Sequence, residues 1–239
     1  MNPVAQALSL LPLLDWLALL LFFGAWAGYA LWASRRAEVR PSLLALTNRE
    51  RVRWMLQTAG RDNRVVDGVV VQNMSTSPSF FASTTILIIG GLLAVLSATE
   101  RASELVNEIP FAARTSLLVF DLKLVVLTGI FVYAFFRFTW SLRQYTFGAL
   151  LVAAAPDSTR WAGEAERQAF ASRAGRVMGL AAETFNDGLR GWYMAFAVVA
   201  WFFSTWAFMA ATVGVVWVLY RREFHSEVLA VLAEDPGPG

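Results

Sequence analysis

The chain has no cysteine and only one histidine, His225, in 239 residues. Without thiolates it can build neither a disulfide framework nor a sulfur-ligated metal site, and a single imidazole is too few for a zinc or copper centre. No cofactor or metal is expected. Charge is scarce as well: 16% of the residues are charged and 57% hydrophobic, with a mean hydropathy of +0.51. A soluble domain has to cover its surface with polar groups, which this composition does not supply. The formal charge of +2, scattered among apolar segments, excludes a nucleic-acid footprint. Catalytic signatures are missing too: there is no GxSxG elbow, no GxxxxGK(S/T) phosphate loop and no HExxH pair. Glu164 and Glu166 are close in sequence but fall on different helix faces. No nucleophile and orienting base occur at matching depth, so no catalytic residue is assigned and the chain reads as a non-enzyme.

What is present is long apolar runs. Four of them, at about 10–32, 80–96, 117–136 and 192–220, approach the ~20 residues needed to cross a hydrocarbon core. The first carries no upstream Lys or Arg and is too long for a signal-peptide core, so it reads as a retained span. The reading is an all-α integral membrane protein with four transmembrane helices, one membrane domain over 1–232 and a disordered tail over 233–239.

Basic residues are distributed unevenly. There are none in residues 1–9, eight in 34–78, two in 98–116, seven in 137–191 and two after the fourth run. Lys and Arg are retained on the cytoplasmic side, which places the first and third connections inside and both termini outside. Arg221 and Arg222, just past the fourth run, sit against that pattern.

The first inside connection predicts an amphipathic interfacial helix. Thr47 and Glu50 have capping-box spacing, Val52, Met55, Leu56 and Ala59 share a face, and Gly60 can end the helix. Arg49, Arg53 and Trp54 are its candidate lipid-interface residues, suited to anionic headgroups at the cytoplasmic face. Packing against another helix is the alternative. The second inside connection predicts a long cytoplasmic helix from about Thr159, interrupted near Asn186, Asp187 and Gly188. Gly175 and Gly179 in that helix have the spacing for close helix contact.

Ionisable groups inside a span cost about 2.5–3.5 kcal/mol each on insertion scales, so each calls for an account. There are three: Asp15, Asp121 and Lys123. Asp15 can reach headgroups beside Trp16. At about 100° per residue, Lys123, Arg137, Ser141 and Gln144 share one stripe of the third helix, while Asp121 and Thr139 lie on the opposite side. These residues, with Asp187 and Arg190 at the start of the fourth run, form the candidate polar pathway or interface. Arg137 and Gln144 are expected to touch residues 186–190. Gly90 and Gly91 predict a tight helix crossing in the second span, and QNMSTSPS, residues 72–79, reads as a polar lead-in to it.

Several stretches carry a family resemblance: LDWLALLLFFGAWAGYALW, RVRWM, VVQNMSTSPSFFASTTILIIGGLLAVL, FTWSLRQY and FNDGLRGWYMAFAVVAWF. Together they cover most of the chain, which resembles the bacterial and plant membrane proteins grouped as domain of unknown function 599. The resemblance implies four spans and brings no catalytic residue or cofactor; the working reading is a multi-pass protein of the bacterial inner membrane. Two functions stay open: a homo-oligomeric, channel-like or transport role for a small ion or solute, and a non-transport scaffold, assembly or lipid-binding subunit.

Overall fold

The computed structural model describes residues 11–37, 42–108 and 116–234. The described residues are helical: α1 Leu13–Ala37, α2 Leu43–Ala59, α3 Val65–Ser97, α4 Thr99–Glu108, α5 Leu117–Ala153, a single 3-10 turn Ser158–Arg160, α6 Glu164–Trp201, α7 Thr205–Phe224 and α8 Glu227–Ala233. Three helices, α1, α3 and α5, are long and apolar enough to cross a membrane. All but the start of the tail at 233–239 lies outside the described residues.

Serine starts four of these helices. Ser42, Ser116, Ser204 and Ser226 each accept a hydrogen bond from the N–H three residues on, at 3.1, 3.4, 3.0 and 3.2 Å. Each hydroxyl thereby satisfies one of the donors that a first helical turn leaves open. The cap of α2 is thus Ser42 and not Thr47, which lies inside the helix and donates its hydroxyl to the carbonyls of Leu43 and Leu44. Gly60 does close α2, its N–H bonding to Gln57 O at 3.0 Å.

Three other expectations change. Residues 72–79 do not lead into α3 but lie within it, with Pro78 accommodated in the helix. Helix α6 runs unbroken through Asn186, Asp187 and Gly188. The apolar run at 192–220 is not one helix: α6 ends at Trp201, and the N–H groups of Phe202, Phe203 and Ser204 fold back on Val199 and Ala200. Ser204 then caps α7. A continuous apolar run gives no polarity break to mark such a turn.

By contact density the chain forms two compact units. The first comprises Met1–Arg36, Thr85–Ala134 and Leu189–Tyr220. In it, α6 runs antiparallel to α1: Arg190 stacks on Tyr29 and, at the other end, Trp201 reaches Asp15. Helix α7 then runs parallel to α1, pairing Thr205 with Asp15, Phe208 with Phe22 and Tyr220 with Trp32. So α6 and α7 form a hairpin around the turn at 202–204. Lipid is as apolar as the side chains, so van der Waals packing holds such helices together more than water exclusion does. Trp201 stacked on Phe208, with centroids 5.0 Å apart, supplies such a contact. Gly90 and Gly91 have open space where a Cβ would sit, so the tight crossing expected there is not made among the described residues.

The second unit comprises Ala37–Thr84, Phe135–Gly188 and Arg221–Gly239. Met55, Ala59, Tyr145, Phe170, Ala174, Met178 and Ala181 belong to its buried core. Here α2 packs on α6 through small residues: a Cβ on Gly175 would lie 2.7 Å from Val52 Cα, and one on Gly179 would lie 3.1 Å from Asn48 Oδ1. The amphipathic helix therefore has a protein partner for its apolar face. Helix α8 also packs on α2, and Glu223 accepts the Leu44 N–H at 3.2 Å.

Candidate functional site: the buried polar clusters

In the first unit Lys123 is 2% exposed and Asp15 6%. Both hold the hairpin turn. Lys123 Nζ donates to the Trp201 carbonyl at 2.9 Å and lies 5.2 Å from the Trp201 ring centroid. That carbonyl belongs to the last turn of α6, where the helix has no further N–H to offer and the dipole favours a cation. Asp15 accepts from Trp201 Nε1 at 2.8 Å and from Thr205 Oγ1 at 2.5 Å. One residue of α1 is thus tied to both arms of the hairpin. Asp15 is also the negative charge whose field acts on Lys123. The expectation that Asp15 reaches headgroups is replaced by this buried role.

Asp121 points elsewhere, as its separation of two residues from Lys123 requires. It borders a cleft of about 530 Å³ shared with Ser97, Thr99, Glu100 and Arg101. Its Oδ1 is buried and, among the described residues, accepts no hydrogen bond.

In the second unit Arg137 Nη2 pairs with Asp187, linking α5 to α6. Ser141 Oγ donates to the Ala181 carbonyl at 2.7 Å. Gln144 Oε1 is buried and accepts no hydrogen bond among the described residues, so that oxygen does not hold residues 186–190. Arg190 lies in the other unit, its guanidinium 5.7 Å from the Tyr29 ring centroid. The polar stripe of α5 is therefore divided among separate partners.

Two further polar groups were not singled out from the sequence. Asn48 Nδ2 donates to Glu183 at 3.0 Å, and Asn48 Oδ1 accepts from Arg51 at 2.7 Å. Burial pulls the Arg51 guanidinium below its ordinary value, while Tyr145 and Glu183 act in the opposite direction. The second group centres on Asp67, fully buried in the first turn of α3, where a carboxylate suits the helix dipole. Its Oδ1 accepts from Trp54 Nε1, Thr58 Oγ1 and Arg61 Nη1 at 2.7, 2.9 and 3.0 Å. Arg64 clamps the carbonyls of Ala155 and Pro156 beside it. The available signal was an acid in a first helical turn, which says nothing of partners on another element.

The residues proposed for the lipid interface divide in the same way. The Trp54 N–H is held by Asp67, Arg53 pairs with Glu50 at 2.7 Å on an exposed face, and Arg49 is exposed. Among the described residues no group of three or more His, Cys, Asp or Glu side chains could hold a metal ion.

No curated protein and no solved structure matches this chain. A family model described as Protein of unknown function, DUF599, matches residues 17–228, which takes in α2 to α7 and most of α1 but not Asp15. The chain belongs to the DUF599 family.

Proposed function

We propose that this protein is a non-catalytic scaffold, assembly or lipid-binding subunit of the bacterial inner membrane, working as a homo-oligomer. The observation that carries this reading is the state of Lys123. A lysine that lines a wet path keeps water around its ammonium, whereas Lys123 ends in a buried bond to a carbonyl and is stacked among Trp201 and Phe202. Lys123 and Asp15 fasten helices. Open faces at Gly24, Gly28, Gly90 and Gly91 supply small-residue surfaces for neighbouring copies. Purified protein in liposomes is expected to pass neither cations nor anions above empty-vesicle controls. Flux that is lost on substituting Asp121 would replace this reading with a second one, a channel formed between copies. The unpartnered Asp121 Oδ1 in its cleft favours that second reading.

The hairpin also revises the proposed orientation. If residues 34–78 and 137–191 are inside, α6 leaves that side and α7 returns to it. The C-terminus is then inside while the N-terminus stays outside. Arg221 and Arg222 join the basic side, which removes the objection they posed. The grouping of 221–239 with both basic connections in one compact unit supports this. The absence of native cysteine makes single-cysteine labelling clean. In spheroplasts, an impermeant maleimide should label Thr99→Cys and spare Glu234→Cys until the membrane is opened. Labelling of the second variant from outside would restore both termini to that side.

A further inference from the structure

We propose that the open face of α5 around Arg143 is a binding site for an anionic phospholipid; this rests on the lipid-binding reading above and gives it a location. Phe136, Trp140, Arg143 and Phe147 follow one another at steps of four, three and four residues, so they share one helix face. Their side chains are exposed, Phe136 by 64%, Trp140 by 48% and Phe147 by 40%. With Thr139 and Thr146 they border a groove of about 590 Å³. Trp140 and Phe147 meet edge to face at 6.4 Å, and the Arg143 guanidinium lies 5.8 Å from the Phe147 ring centroid.

Charge identifies the occupant. Among the described residues no carboxylate pairs with Arg143, in contrast to Arg137 six residues earlier on the same helix. An exposed guanidinium in an aromatic frame calls for an anion with an apolar body. Depth agrees. Arg143 lies seven residues, about 10 Å, beyond Phe136, where the apolar run ends, so its charge falls at headgroup level and Trp140 at the interface. The flanking hydroxyls add a selective feature. Thr139 and Thr146 give their protons to carbonyls of their own helix, at 3.0 and 3.1 Å, which leaves their oxygens as acceptors. A headgroup with one negative phosphodiester and free hydroxyls, as in phosphatidylglycerol, fits both the guanidinium and these oxygens.

The test is native mass spectrometry of the full-length protein in detergent, exposed to palmitoyl-oleoyl phosphatidylglycerol or phosphatidylcholine. Wild type should retain the anionic lipid preferentially, and Arg143→Gln should reduce that preference roughly tenfold, the scale of one charge-assisted hydrogen bond. Arg160→Gln, on an exposed residue past the end of α5 that pairs with Asp157, should leave it unchanged. Preference retained in Arg143→Gln, or lost equally in Arg160→Gln, would overturn the site while leaving lipid binding elsewhere intact. Absence of any preference in wild type would overturn both. A change in oligomeric mass in Arg143→Gln, without a change in lipid retention, would give the groove to a second copy and end the proposal.

Discussion

Gly175→Val is expected to destabilise the protein by about 1–3 kcal/mol or more, the usual cost of forcing extra atoms into a packed contact. The added Cβ would lie 2.7 Å from Cα and Cγ2 of Val52 and 3.0 Å from its backbone nitrogen. Backbone cannot swing aside, so α2 must lift from α6. Losing a glycine from a helix interior is worth at most about 1 kcal/mol in the other direction, too little to reverse the sign. Gly148→Ala gives the contrast. The three atoms nearest its Cβ would be Cε, Sδ and Cγ of Met178, at 2.5, 2.6 and 3.6 Å, the end of a flexible side chain that can take another rotamer. That variant should be near neutral. Thermal unfolding in detergent, followed by proteolysis within α2, compares the two. Equal stability of Gly175→Val and wild type would mean that the two helices do not pack as described.

The other large effect is expected at the hairpin turn. Asp15→Leu strips the acceptor from the Trp201 and Thr205 donors and leaves Lys123 without the carboxylate whose field it feels. Breaking a buried charge arrangement by removing one member costs about 3–5 kcal/mol. Lys123→Met should cost a comparable amount, since the Trp201 carbonyl loses its donor and Asp15 loses the cation near it. The double variant should be less unstable than the two losses combined, because neither orphaned charge remains. Midpoints of unfolding for the four proteins measure this coupling. Strict additivity would show that the two groups hold the turn independently.

Much of the fold was legible because membrane helices announce themselves through apolar length. The same simplicity hid the hairpin. In AVVAWFFSTWAFMAA only Ser204 and Thr205 interrupt the apolar run, and hydropathy alone cannot tell a cap from a hydroxyl bonded back into its own helix. Helical projection was enough to bring Arg137 toward Asp187, because both lie on long regular elements whose faces can be counted. It could not find the partner of Trp54. An amphipathic helix with arginines and a tryptophan has the pattern of a lipid-facing segment, and the burial of Asp67 that draws in the indole N–H depends on α3, which the pattern of α2 cannot report. Thr47 misled for a related reason. Capping-box spacing is also met inside helices, where a threonine hydroxyl turns back to its own carbonyls.

The bond between Asp15 and Trp201 joins residues 186 positions apart. At synthesis rates of about 5–20 residues per second, roughly 10–40 s separate the emergence of the carboxylate from that of its donors. Through that interval α1 carries a carboxyl without the donors that hold it in the folded protein, a group best kept close to interfacial water. Its docking must wait for the α6–α7 hairpin, so a helix made well before that hairpin matures only when the hairpin is complete.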